Sequence, residues 1–162
     1  MNCLIRKERS DDTASIQNLV AAAFGQPEEA ELVGKLRRDG DLCLSLIAEQ
    51  GGQIIGHIAL SRLKSPAKAV ALAPVSVHPE QQGLGIGGKL INEAISHALE
   101  DGETLIFVLG DPGYYTRFGF TTGAAEPFDC IYAGPYFMAK PLTASATAPA
   151  PVIYPDAFEG LE

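Results

Sequence analysis

Cysteine is scarce in this sequence and has no close partner: the 162 residues contain three, Cys3, Cys43 and Cys130. Their odd number, wide separation and lack of any CxxC pair suggest neither a disulfide framework nor a zinc cage, and the expected setting is a reducing cytoplasm. Basic charge is short as well. Twelve Lys and Arg stand against twenty Asp and Glu, a formal net charge of −8, which disfavours a nucleic-acid binder that works by neutralising phosphates. Long apolar runs are missing. The most apolar stretch, Ala69 to Val77, is far below the roughly 20 residues of a membrane helix and is interrupted by Pro74 and Ser76, so no membrane span is expected. At the N-terminus, Arg6-Lys7-Glu8-Arg9 follows a very short apolar stretch that starts at Met1, the reverse of a secretion signal. What is present, 46% hydrophobic and 20% charged residues, is enough to build one globular domain spanning residues 1–162.

After a short N-terminal strand, Ser10-Asp11-Asp12 offers capping oxygens, and Ile16, Leu19, Val20, Ala23 and Phe24 recur at helical spacing up to Gly25. A second helix is expected from about Pro27, with Leu32, Val33 and Leu36 on one stripe, ending before Gly40. Leu42 to Glu49 and Ile54 to Leu63 are strand-like runs around the turn Gln50-Gly51-Gly52-Gln53, and Ala69 to Val77 reads as a third strand. From Gly85 to Glu100, Leu90, Ile91, Ala94, Ile95, Ala98 and Leu99 form a helical double stripe. Thr104 to Leu109 is continuously apolar, as in a parallel strand covered on both faces. Strand, glycine loop, helix and strand together make one crossover unit. A short helix is expected over Gly113 to Phe118, then one or two strands from Phe120 onward, including Pro135 to Lys140, and a loop over 142–151.

The loop between the third strand and the long helix carries four glycines, Gly83, Gly85, Gly87 and Gly88. Free backbone N–H groups there, with the positive end of a helix dipole, suit phosphate oxygens without any charged side chain. The plainer reading is that the glycines only turn the chain. Gly83, Gly85 and Gly88 satisfy GxGxxG, with Asp111 ending the next strand, but His78 to Gln82 separate the first glycine from its strand. Gly83, Gly88 and Lys89 satisfy GxxxxGK, yet Leu90 stands where a P-loop needs Ser or Thr for magnesium. A third pattern fits better. Gln82-Gly83-Leu84-Gly85-Ile86-Gly87 obeys Q/R-x-x-G-x-G/A and, with Val75 to Pro79, closely resembles the acetyl-CoA motif of the GNAT family of N-acetyltransferases. Tyr114-Tyr115-Thr116-Arg117-Phe118-Gly119-Phe120 resembles the family's second signature.

The resemblance implies an α/β (α+β) fold: a mixed, mainly antiparallel central sheet flanked by helices, with a splayed parallel strand pair that takes acetyl-CoA as co-substrate. Carried over by position, the pantetheine arm would bond the main chain of Val75, Ser76 and Val77. The pyrophosphate would lie on Gln82, Gly83, Leu84, Gly85, Ile86, Gly87 and Gly88. Tyr115 would be the catalytic acid that protonates the departing thiolate, and a backbone N–H near Val75 would hold the oxyanion. The expected partner is a small-molecule or peptide amine, with no metal, nucleic acid or membrane surface; a homodimer is allowed.

A general base is not evident, because Ala69 to Val77 contains no carboxylate. His57 is the best alternative, and a hydrogen-bonded core histidine is its simpler reading. His78 reads as structural and His97 as surface, while Glu28, Glu29 and Glu31 read as a charged helix N-terminus. Cys43 and Cys130 are expected to be small core residues. A non-catalytic acyl-CoA-binding or sensing module is the alternative function.

Overall fold

Apolar spacing becomes structure close to the expected places in the computed structural model, which describes residues 3–144 and 147–160. Met1, Asn2, Leu161 and Glu162 lie outside the described residues, as do Ser145 and Ala146 within the expected 142–151 loop. The elements in chain order are β1 (Leu4–Lys7), α1 (Thr13–Phe24), α2 (Glu28–Asp39), β2 (Leu42–Gln50), β3 (Gln53–Arg62), β4 (Ala69–Val77), α3 (Ile86–Glu100), β5 (Leu105–Leu109), α4 (Pro112–Tyr115), α5 (Thr122–Ala125) and β6 (Phe137–Pro141). The strands form one sheet in the order β1-β2-β3-β4-β5-β6. Every neighbouring pair is antiparallel except β4 and β5. The tight β2–β3 connection follows from Gly51 and Gly52, both at positive φ (58° and 81°), the pair of angles that a mirror-image two-residue turn requires.

Helix α3 covers one face of the sheet. Its buried stripe Leu90, Ile91, Ala94 and Ala98 packs on Leu46, Ala48, Ile58, Leu60 and Ile106. A fully buried Leu or Ile contributes on the order of 1.5–3 kcal/mol, whereas a helical glycine costs about 1 kcal/mol. The stripe therefore outweighs Gly87 and Gly88 in the first turn. The other face is covered by α1 and α2, where Ile16, Val20 and Ala30 meet Ile47. Leu32 and Leu36 of α2 pack against Ala157 and Phe158 near the C-terminus.

Several expectations need correction. Asp12 makes no side-chain cap on α1. Its carboxylate accepts the Arg9 N–H at 2.6 Å and pairs with the Arg6 guanidinium at 2.8 Å, so it ties β1 to the helix entry. From Phe120 onward only β6 is a full strand, beginning at Phe137 instead of Pro135. Thr121 makes a single bridge to Ala139, and its hydroxyl accepts the Ala124 N–H at 3.1 Å to start α5, a helix with no hydrophobic period to announce it. Cys43 is among the exposed residues at the start of β2, with its thiol only partly desolvated, and Cys130 is half-buried. Burial pushes both thiols upward, so neither is a ready thiolate.

The parallel pair is short. Ala69, Val70 and Ala71 lie against Leu105, Ile106 and Phe107, and the pairing stops there. On the β3 side the register passes from Ile58–Val75 to Leu60–Leu72, so Ala73 and Pro74 together oppose Ala59 as a bulge. Pro74 has no N–H to give a neighbouring strand. Beyond Ala71, β4 parts from β5, while β5 stays paired to β6 as far as Leu109–Phe137.

Candidate active site

A cavity of about 360 Å³ opens where the strands part, lined by Leu72, Ala73, Pro74 and Val75 from β4, Leu109 from β5 and Tyr115 from α4. Toward β3, Val75, Ser76 and Val77 are paired with Ile58, His57 and Gly56. Their other edge has no strand beside it, which leaves main-chain groups for an extended ligand. The Ser76 side chain is buried; it is 2% exposed and its hydroxyl has no hydrogen-bond partner among the described residues.

At the C-terminal end of β4 a single turn over Pro79–Gln81 is capped by His78, whose Nδ1 accepts the Glu80 N–H at 3.1 Å. That accounts for His78 as structural. Gln82 folds back and donates its side-chain amide to the Val77 carbonyl at 3.1 Å, tethering the loop to the strand. Gly83 and Gly85 follow at φ 82° and 83°, and the space where a Cβ would stand is open at both. None of the backbone N–H groups from Gly83 to Gly88 donates to a partner among the described residues; the first bond of the helix entry is Lys89 to the Gly85 carbonyl. A row of unpartnered donors at the N-terminus of a 15-residue helix fits the phosphates of a nucleotide-bearing substrate. Leu84 is exposed, whereas Ile86 points into the α3 core.

Tyr115 stands edge-to-face with Tyr114 (centroids 5.1 Å apart) and with Phe120 (5.9 Å). Its hydroxyl makes no hydrogen bond among the described residues, and the side chain lines the cavity. Burial, with a smaller contribution from Tyr114, pushes its pKa up to about 12, so the phenol keeps its proton through the physiological range. Tyr114 is the packing residue of the pair, held by Phe118 at 5.4 Å and by the Arg117 guanidinium 4.8 Å over its ring. Gly110 carries a role that no motif announced. A Cβ there would stand 2.5 Å from Tyr115 Cε2, so the bare backbone is what lets the ring lie where it does.

The acetyltransferase (GNAT) family model matches residues 13–120, two-thirds of the chain and the whole span from α1 through α4. The chain belongs to this family. It is 36% identical over 135 residues to the uncharacterized N-acetyltransferase YhbS of Escherichia coli K12, covering 81% of each protein. It is 39% identical over 133 residues to the uncharacterized N-acetyltransferase YjhQ of the same strain, covering 77% of this chain and 71% of that one. The crystal structure of E. coli YhbS in complex with CoA matches with a TM-score of 0.92, covering 100% of this chain and 94% of that chain. A Brucella melitensis family acetyltransferase in complex with acetyl-CoA matches with a TM-score of 0.84 at 37% identity, covering 98% and 99%. The mixed six-stranded sheet with its single parallel pair is thus the fold of this acetyltransferase family.

His57 does not reach the cavity of this family member. It is 0% exposed, its Nε2 lies 2.8 Å from Ser45 Oγ, and Ser45 in turn donates to Glu8, which pairs with Arg37 at 2.8 Å. Burial lowers its pKa to about 4, so the ring is neutral. This is the core histidine of the simpler reading. His97 is on the α3 surface beside Glu93, and Lys89 and Arg117 are exposed. Glu29, read as part of a charged helix start, lines the same cavity as Tyr115. Tyr132, Tyr154 and Phe158 also line it, from a C-terminal stretch whose only sequence signal was isolated aromatics. Among the described residues no group of three or more His, Cys, Asp or Glu is arranged to hold a metal, and no helix is long and apolar enough to cross a membrane.

Proposed function

We propose that this family member is an acetyl-CoA-dependent N-acetyltransferase that moves the acetyl group to a primary amine of a small molecule or peptide. The observation that carries the reading is the parting of β4 from β5, with the protonated Tyr115 facing the opened cavity and an unpartnered glycine loop at the end of β4. Two relatives whose structures hold CoA or acetyl-CoA support it. In this reading the N–H groups from Gly83 to Gly88 bind the pyrophosphate, and Gln82 keeps their loop in place. The free edge of Val75, Ser76 and Val77 receives the pantetheine amides, and a backbone N–H near Val75 stabilises the oxyanion.

The neutral amine attacks the thioester carbonyl carbon, the tetrahedral intermediate collapses, and the C–S bond breaks with its electron pair on sulfur. Tyr115 faces that sulfur as hydrogen-bond donor and proton source. At about 12 its pKa lies above the usual thiol value of about 8.5. The phenol therefore stabilises the leaving thiolate first as a donor, and is reprotonated from solvent after transfer. The amine proton leaves to water, directly or past Glu29, the one carboxylate that lines the cavity; β4 presents none and His57 is sealed in the core. The three free thiols suit a reducing compartment, so the proposed setting is the cytoplasm.

Thermal shift with acetyl-CoA, CoA, ATP and NAD tests the ligand, because a compound that binds the native state raises its apparent stability. Acetyl-CoA and CoA should raise the melting temperature. Stabilisation by ATP or NAD alone would overturn the reading.

A further inference from the structure

Beyond the parted strands the same cavity continues into a wall that the thioester chemistry leaves unused. Phe24 and Glu29 come from either side of the α1–α2 junction, Leu32 from α2, and Tyr132, Tyr154 and Phe158 from the C-terminal part of the chain. Tyr132, Tyr154 and Phe158 stand in an edge-to-face row, with successive centroids 5.0 Å apart and planes at 87° and 74°. Rings that brace one another lose little freedom when a ligand arrives. The Tyr132 and Tyr154 hydroxyls make no hydrogen bond among the described residues, although Tyr154 is half-buried in the wall. Glu29 is the one charged side chain lining the cavity. Its two oxygens accept from Gln26 Nε2 at 3.0 Å, and it makes no ion pair among the described residues.

We propose that this wall is the acceptor subsite and that it selects a primary monoamine on an aromatic or other apolar body, with the amino group toward Glu29 and the body on the row of rings. The inference rests on the N-acetyltransferase reading and adds the class of acceptor. Aromatic faces attract both flat apolar groups and ammonium ions. A single carboxylate neutralises a single cation. A polyamine or an aminoglycoside would carry further ammonium groups into a wall that offers no second carboxylate, and burying an unpaired charge is costly. A peptide would bring several amide groups to a wall whose free polar groups, besides Glu29, are the Tyr132 and Tyr154 hydroxyls. The cavity's 360 Å³, shared with the thioester end, lies near the small end of the roughly 300–1,000 Å³ typical of ligand pockets.

The test follows CoA thiol release at fixed acetyl-CoA with 2-phenylethylamine, hexylamine, spermidine, kanamycin and a lysine-containing peptide. The two monoamines should show the highest kcat/KM, by about tenfold or more over the polycations. Glu29→Gln should raise KM for 2-phenylethylamine about tenfold while KM for acetyl-CoA holds. Tyr132→Ala should weaken 2-phenylethylamine more than spermidine. Preference for spermidine, kanamycin or the peptide, or an unchanged amine KM in Glu29→Gln, overturns the proposal. If acetyl-CoA binds yet no amine in the panel releases thiol, the transferase reading fails instead. The wall is then judged by calorimetry of 2-phenylethylamine with the CoA-saturated protein: binding that weakens in Glu29→Gln upholds it, and no binding overturns it.

Discussion

Along the glycine loop, contiguous residues from Gly83 to Gly88 present main-chain N–H groups; in the aromatic wall, side chains from α1, α2, the segment after α5 and the C-terminal turn converge from far apart in the chain. The loop works by leaving side chains out: Gly83 and Gly85 hold a positive φ with nothing where a Cβ would be. The wall works by what its side chains are. A ligand part that never changes can be met by backbone, and backbone geometry leaves a compact trace in sequence. A variable ligand part is met by scattered side chains, and those leave none.

The largest effect should come from breaking the loop. Gly85→Glu places a side chain in the left-handed region and a carboxylate among the proposed phosphate donors, and acetyl-CoA affinity should drop more than about a hundredfold in a protein that still folds. Calorimetry checks it, with circular dichroism for the fold; unchanged affinity would move the pyrophosphate elsewhere. Next comes the residue between the two regions. Tyr115→Phe keeps the ring contacts with Tyr114 and Phe120 and removes the proton, so kcat should fall on the order of 10²-fold with acetyl-CoA affinity little changed. A wild-type rate at all pH values would reduce Tyr115 to packing.

Gly110→Ala is a smaller perturbation of the same residue. The added methyl would meet the Tyr115 ring at 2.5 Å and push it aside, so kcat should fall about tenfold while the loop still binds CoA. Equal loss of binding and turnover would mean that loop and ring are one mechanical unit. The smallest effect concerns the layer between sheet and helices. His57 has its pKa lowered from an ordinary 6.5 to about 4, chiefly by burial, so the unfolded chain binds the proton more readily. Its contribution to stability is full above pH 6.5 and is lost as pH falls toward 4. Glu8, held low by Arg37 and Ser45 against its own burial, contributes in the same direction at still lower pH. Melting temperatures from pH 7 to 4 should decline, and less steeply in His57→Gln. A flat profile would show that the ring is not sequestered.

Periodicity located most of the frame because each element answers to its own residues. Ala69–Val77 is a strand at the expected bounds, and α3 starts one residue after Gly85 because its apolar stripe and the glycine act locally. Where distant chain segments decide, the sequence was mute. Nothing near Asp12 says that Arg6 will claim its carboxylate, and nothing near Cys43 says that it will be exposed. Pro74 reads in sequence as an interruption of an apolar run, yet it sits in a bulge against β3 just beyond the point where β4 parts from β5, which needs both partner strands to be seen. Glu29 was legible as a helix-start carboxylate. Its place opposite the C-terminal rings exists only after α2 and residues 154–158 have packed together.

The sheet's spatial order repeats its chain order, and this bears on how the molecule forms. Four of the five strand pairings are antiparallel and join chain neighbours, but β4 to β5 alone requires α3 to be carried across the face first. A nascent chain that ends before Leu105 already has β1 to β4 available to pair, and it has no cleft at all, because one wall is missing. The cleft therefore comes into being with the crossover, and the proposed acetyl-CoA site comes into being with it.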